Sequence, residues 1–251
     1  MGMRKIRPHI TAFVPEGTIV SQAGCNIGFL YTDDGIVVID TSVSVKRMEE
    51  ILKIAGIHSD NVSMVINTHL HADHINGNSL FQCPIICHSK ANTRMAKKCA
   101  KLGQSLITFD DEYEIDIGDV HLNLIHTGGH TPESIVVWLP EDKVLFSGDL
   151  IFSGRAPFLA SVTNFNALIK ALKWLLTLGP EVIIPGHGSI CDEIEVHAQL
   201  NYLETTWEII KSHVETGQSL TAIRKDSALP FMEGRNYERN IEWVYKRLTN
   251  K

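Results

Sequence analysis

No run in this sequence approaches the ~20 consecutive apolar residues that a membrane-spanning helix needs, which excludes a helical membrane protein. The amino terminus, MGMRKIRPHI, lacks the apolar stretch of a secretory signal. Ile6 stands where myristoylation of Gly2 requires Ser or Thr. Cysteine is sparse and odd in number: Cys25, Cys83, Cys87, Cys99 and Cys191, at unpatterned spacings. Such a set argues against a disulfide framework and for a reducing cytoplasm, with the thiols packed as small apolar side chains. Cys83 and Cys87 have the spacing of half a metal site, yet no second thiol pair accompanies them. Dense Lys/Arg runs are missing too. The 23 basic and 29 acidic residues leave a formal charge of −6, which argues against nucleic acid as the main partner. Low-complexity linkers and internal repeats are also absent. What is abundant is histidine, 12 in 251 residues, the commonest metal ligand and the usual general base near neutral pH.

The first forty residues read as strands. Ile27–Tyr31 and Ile36–Ile39 are apolar and joined through Asp33-Asp34-Gly35, a hairpin signal. Val45, Met48, Ile51, Leu52 and Ala55 recur at helical spacing before Gly56. Strands are expected at 62–66, 84–87, 119–125, 134–139, 144–146 and 181–184, and helices at 89–101 and 164–178. The 164–178 helix opens on an Asn cap and closes at Gly179-Pro180. After Gly188 the pattern is helical only, at 192–215, roughly 219–226 and 236–248. Strands alternating with helices predict sheet packed between helices.

The histidines cluster where strands end. Residues 68–74 read Thr-His-Leu-His-Ala-Asp-His directly after the apolar strand closing at Ile66. Three imidazoles and a carboxylate so close together need partners if they are buried. His69 and His71, two apart, can project toward one ion from an extended or tightly turned segment, and Asp73 and His74 can turn toward a second. Three further strands are each expected to run into a Gly-containing turn that carries His or Asp. These are His126-Thr-Gly-Gly-His130-Thr, Ser147-Gly-Asp149 and Pro185-Gly-His187-Gly. Glycine permits the sharp turn and close approach that such positions need. Singly, each of these is an ordinary loop.

In this order they resemble the metallo-β-lactamase superfamily. Its His-x-His-x-Asp-His motif is complete at 69–74, and the resemblance runs from about residue 20 to 190, including Asp40-Thr41 after a strand. The resemblance implies an αββα sandwich, an α/β fold, as a catalytic domain over 1–190, with residues 191–251 a helical extension packed on it. It implies one metal held by His69, His71 and His130, a second held by Asp73, His74 and His187, and Asp149 bridging the two. His126 competes with His130, and the family pattern favours the second of the pair. Gly128 stands where Pro is usual and Glu133 where Gly is usual; neither removes a ligand. The ligand types suit two zinc ions, with iron or manganese also compatible.

The implied chemistry is hydrolysis by a metal-bridging hydroxide, with Asp73 both ligand and catalytic residue. The branch resembled is that of the glyoxalase II-like and lactonase-like enzymes, acting on a small ester, thioester, lactone or amide, with weak β-lactamase activity compatible. The loop after Asp149, LIFSGRAPF, lacks the Lys and Tyr with which glyoxalase II enzymes hold glutathione, and Phe152 replaces the Tyr of homoserine-lactone hydrolases. Phe152, Arg155 and Phe158 are the candidate substrate contacts for a small molecule, core packing being an equal reading for both Phe residues. Two alternatives share the fold: a mononuclear iron persulfide dioxygenase, and a phosphodiester or phosphotriester hydrolase. The tail is expected to cover the pocket or to form a homodimer surface, with ordinary packing favoured by its helical spacing.

Overall fold

The computed structural model describes residues 2–15, 24–162 and 164–249. The first few residues of the family resemblance, 20–23, lie outside them. Among the described residues the strands are β1 (Gly2–Arg7), β2 (Ile10–Val14), β3 (Ile27–Thr32), β4 (Gly35–Ile39), β5 (Val62–Ile66), β6 (Ile85–His88), β7 (Leu106–Phe109), β8 (Glu112–Ile117), β9 (Val120–His126), β10 (Ile135–Leu139), β11 (Val144–Phe152) and β12 (Val182–His187). The helices are α1 (Val45–Ala55), α2 (Ala72–Ile75), α3 (Asn92–Leu102), α4 (Phe165–Thr177), α5 (Glu193–Glu215), α6 (Leu220–Ile223) and α7 (Asn236–Thr249).

Two sheets result. One runs β1 through β7 in chain order; the other is ordered β12-β11-β10-β9-β8. Strand alternation explains how they stack. In β10, Ile135, Val137 and Leu139 face a core shared with Leu30, Val37, Ile39 and Ile66 of the first sheet. Val136 and Trp138 point the other way, toward Leu168, Leu172 and Leu175 of α4. On the far side, Val38 and Val65 pack with Met48 and Ile51 of α1 and with Met95 of α3. The order is therefore helix, sheet, sheet, helix. Local chemistry fixes the helix ends: Ser44 Oγ accepts from Arg47 N at the start of α1, and Gly56, at φ 70°, closes it. Asn164 caps α4 in the same way.

The helical tail joins the outer layer. Val196, Leu200 and Leu203 of α5 and Ile241 and Val244 of α7 share one apolar cluster with α4 and the outer face of the second sheet. No helix among the described residues is long and apolar enough to cross a membrane, and the five cysteines are free thiols.

Two local expectations need correction. Asp149 and His187 do not sit in turns after their strands: β11 continues to Phe152 and β12 to His187. The β11–β12 pairing instead shifts register on both sides of Gly148. A bulge there re-aims a side chain without ending the strand. β7 and β8 also extend the sheets beyond the strands expected from the sequence.

The parallel strands β4, β5, β11 and β12 bring Asp40, the 67–74 segment, Asp149 and His187 to a common edge. Carboxyl ends of parallel strands are where such sheets commonly bind ligands. Backbone bonds join the two sheets at this edge: Ile135 N donates to Thr68 O (2.9 Å) and Asn26 N to Gly186 O (2.8 Å).

Candidate metal centre

His69 and His71 lie in the connection from β5 to α2. His71 is the N-cap position of that single-turn helix, which carries Asp73 and His74. His130 comes from the β9–β10 loop, Asp149 from the bulged stretch of β11, and His187 from the last position of β12. All seven residues singled out by the sequence converge here. Ligand atoms of His69, His71, His130 and Asp149 lie within 4.8 Å of one another, and so do those of Asp73, His74 and His187. His126 joins neither group. Its ring stacks on His88 with centroids 3.8 Å apart, and its Nε2 donates to Pro132 O.

In the first group His69 Nε2 lies 2.9 Å from His71 Nδ1, which lies 3.1 Å from His130 Nε2. Asp149 Oδ2 is 3.7 Å from His69 Nε2 and 3.5 Å from His130 Nε2. In the second, Asp149 Oδ1 is 3.2 Å from His74 Nε2 and 3.3 Å from His187 Nε2, and Asp73 Oδ2 is 3.3 Å from His187 Nε2. The two oxygens of one carboxylate thus face two separate donor sets. Ligand atoms about 3.3 Å apart form the edges of a tetrahedron around a zinc ion with Zn–N of ~2.0–2.1 Å. The observed spacings bracket that edge.

Hydrogen bonds on the outer side of the rings set the tautomers. Thr68 Oγ1 donates to Asp40 Oδ2 (2.8 Å), so it accepts from His69 Nδ1 (3.2 Å) and leaves Nε2 with its lone pair inward. His71 Nε2 donates to Ser161 Oγ (2.9 Å). His74 Nδ1 donates to Asp40 Oδ2 (2.7 Å). Asp40 also accepts from Thr68 N at Oδ1 (2.9 Å), so one buried carboxylate orients rings in both groups. It stands at φ 62°, a left-handed conformation that aspartate tolerates better than most residues. The sequence pointed to Asp40-Thr41 without assigning a role; the signal was an acidic residue directly after an apolar strand. Ser161 carried no signal.

Burial and neighbouring charge divide the imidazoles. Burial pulls His130 down to about 4, and repulsion from His71, His74 and His187 adds to it against the attraction of Asp149. His69 is likewise held well below its ordinary value by burial and by His74. These rings are neutral donors at pH 7. Burial also opposes charge on His187, but Asp149 and Asp73 outweigh it and raise it to about 9. Asp149 is held well below the usual carboxylate range, its burial outweighed by His187 and His74. His74 Nε2 and Asp149 Oδ1 are buried without a hydrogen-bond partner, although only 3.2 Å apart. A buried polar atom left unpaired costs roughly 1–3 kcal/mol. Ligation of a shared cation accounts for both atoms, and for the convergence of ring nitrogens of His69, His71 and His130 within 4.8 Å. The donor set fits two divalent metal ions.

Gly186 shows how closely this edge is packed. A methyl group on it would overlap Asp149 Oδ1 and the backbone of Gly148, so Pro-Gly-His reads as room for the carboxylate between two donor sets.

A cavity of about 330 Å³ opens onto the ligands, lined by Phe152, Arg155 and Phe158 together with residues 233–236, which lead into the first position of α7. Phe152 is a core and a pocket residue at once: it is buried, and its ring stacks on His187 at 5.3 Å. The contribution of Glu233, Gly234, Arg235 and Asn236 was not legible in the sequence.

The sequence matches the metallo-beta-lactamase superfamily over residues 21–187. A metallo-beta-lactamase type 2 of Bacillus sp. (strain 170) is 29% identical over 176 residues, 65% of this chain and 66% of that one. The chain therefore spans just under two thirds of that relative. A metallo-beta-lactamase type 2 of Elizabethkingia meningoseptica is 31% identical over 211 residues, 80% of this chain and 84% of that one. A metallo-beta-lactamase family protein from Thermus thermophilus superposes with a TM-score of 0.73 at 15% identity, covering 96% of this chain and 93% of its own. At that identity the likeness is one of fold, and it extends through the helical tail. The match at 21–187 contains all seven convergent residues, and this chain belongs to the metallo-beta-lactamase superfamily.

Proposed function

We propose that this chain is a dinuclear metal-dependent hydrolase acting on a small ester, thioester, lactone or amide, with zinc as the metal. The observation that carries the reading is Asp149, whose two oxygens face two donor sets, three imidazoles on one side and two imidazoles with Asp73 on the other. Two divalent cations held there would lower the pKa of a bound water toward ~7 and polarise the substrate oxygen.

The chain's own residues do the rest. Asp40 and Ser161 fix the rings, so little reorganisation is needed at the moment of reaction. Phe152 and Phe158 wall the cavity with apolar surface and exclude water beside the ligands. Asp73 faces both the ligands and the cavity. Burial raises its pKa, but the hydrogen bond and charge of His187 outweigh that and keep it ionised. With Oδ2 turned to His187, Oδ1 is left to accept the proton of the attacking water and orient it.

Asp73→Asn tests this role, because an amide oxygen can still ligate but cannot take a proton. Turnover of an activated ester is expected to fall ~10²–10⁴-fold with most of the metal retained. A loss within about threefold would remove Asp73 from the proton-transfer role.

A further inference from the structure

Two partly exposed arginines are held by carboxylates: Arg7 pairs with Glu181 and Arg224 with Glu242, each at 3.1 Å. Arg155 is half-buried in the cavity wall and makes no hydrogen bond or ion pair among the described residues; burial alone draws its pKa down. Its backbone is pinned on both sides. Gly154 N donates to Glu195 Oε1 of α5 (2.9 Å), and Ala156 N donates to Glu233 O of the tail (2.8 Å). The same cavity takes a second guanidinium from exposed Arg235 and one carboxylate from exposed Glu233. Apolar surface lies beside both donor sets: Phe158 stands edge-on to His71 with centroids 6.1 Å apart, and Phe152 stacks on His187.

A guanidinium taken partly out of water without a partner is a cost that a folded chain meets elsewhere with a carboxylate. Its planar fork matches the oxygens of a carboxylate, sulfate or phosphate group. We infer that Arg155 is a specificity-determining residue, and that the substrate carries an oxyanionic group held by Arg155 while an apolar portion lies against Phe158. The inference deepens the hydrolase reading and rests on it. The C-terminal segment then has a part in substrate choice, because Glu233 fixes the backbone beside Arg155 and Arg235 adds charge at the rim.

The test compares a neutral 4-nitrophenyl ester, the butyrate, with the monoanionic 4-nitrophenyl glutarate, in the metal-loaded protein and in Arg155→Met and Arg155→Lys. The readout is the ratio of kcat/KM for the anionic to the neutral ester. A ratio of at least ~10 is expected in the parent, falling at least ~5-fold in Arg155→Met and partly recovering in Arg155→Lys. A ratio unchanged by Arg155→Met overturns the proposal. Calorimetric titration with glutarate and, separately, inorganic phosphate reads the same site without turnover and separates carboxylate from phosphate recognition. Binding of either that is lost in Arg155→Met supports the proposal; equal binding of both by parent and variant overturns it. If neither ester is hydrolysed, the calorimetric arm alone decides the role of Arg155, and the hydrolase reading is judged separately on thioester, lactone and β-lactam substrates.

Discussion

Asp149→Ala is expected to reduce metal content from about two ions per chain to one or fewer, and to lower kcat/KM for any substrate by ~10³-fold or more. Oδ2 completes the group of His69, His71 and His130, and Oδ1 completes the group of Asp73, His74 and His187. Removing the carboxylate therefore weakens both sets together. Charge makes the loss worse. Asp149 is the buried anion among the imidazoles; without it neutral rings alone face the mutual repulsion of two cations. Loss of metal-ion catalysis removes several kcal/mol of transition-state stabilisation, and each ~1.4 kcal/mol is a tenfold change in rate. Asp149→Asn keeps the shape and one ligating oxygen, so it should retain one metal and little activity. Circular dichroism of both variants controls for folding. Two tightly bound metals and activity within about tenfold of the parent in Asp149→Ala would remove the bridging role.

The second large effect belongs to a residue that touches neither cavity nor metal. Asp40→Ala should weaken metal binding by ~10–100-fold, as loss of an outer partner to a ligating His commonly does. Asp40 accepts from His74 Nδ1, Thr68 N and Thr68 Oγ1, and Thr68 Oγ1 in turn accepts from His69 Nδ1. Its loss frees one ring in each group to rotate and removes the bond that fixes the His69 tautomer. The position is buried, so the variant also leaves donors unpaired, at roughly 1–3 kcal/mol each, and a lower Tm is expected. Metal concentration separates the two effects. Activity lost at limiting metal should return at excess metal if Asp40 acts through affinity. An unchanged metal affinity would reduce Asp40 to a purely structural role.

The sequence made the site easier to read than the sheets that hold it. Ligands declare themselves because few other roles place three His and one Asp within 69–74, and because His130, Asp149 and His187 each follow an apolar strand. Asp149 and His187 nevertheless lie inside their strands: an apolar run followed by Ser-Gly-Asp looks the same whether a turn or a bulge follows, and only the shifted pairing of β11 with β12 separates them. β8 was hidden by its charge. Glu112, Glu114 and Asp116 face outward on an edge strand while Ile115 and Ile117 enter the core, and acidic residues are common on such edges. Asp40 and Ser161 act through hydrogen bonds to residues 34 and 90 positions away, a distance no local pattern encodes. The pocket contribution of 233–236 depends likewise on α7 folding back over the second sheet.

Metal titration of the demetallated protein, followed by elemental analysis and ester turnover at each equivalent, tests the central claim most directly. The account predicts two zinc ions per chain, with hydrolysis appearing as the second site fills. Saturation at one iron per chain, with no hydrolysis of thioester, lactone, β-lactam or ester at any loading, would contradict it.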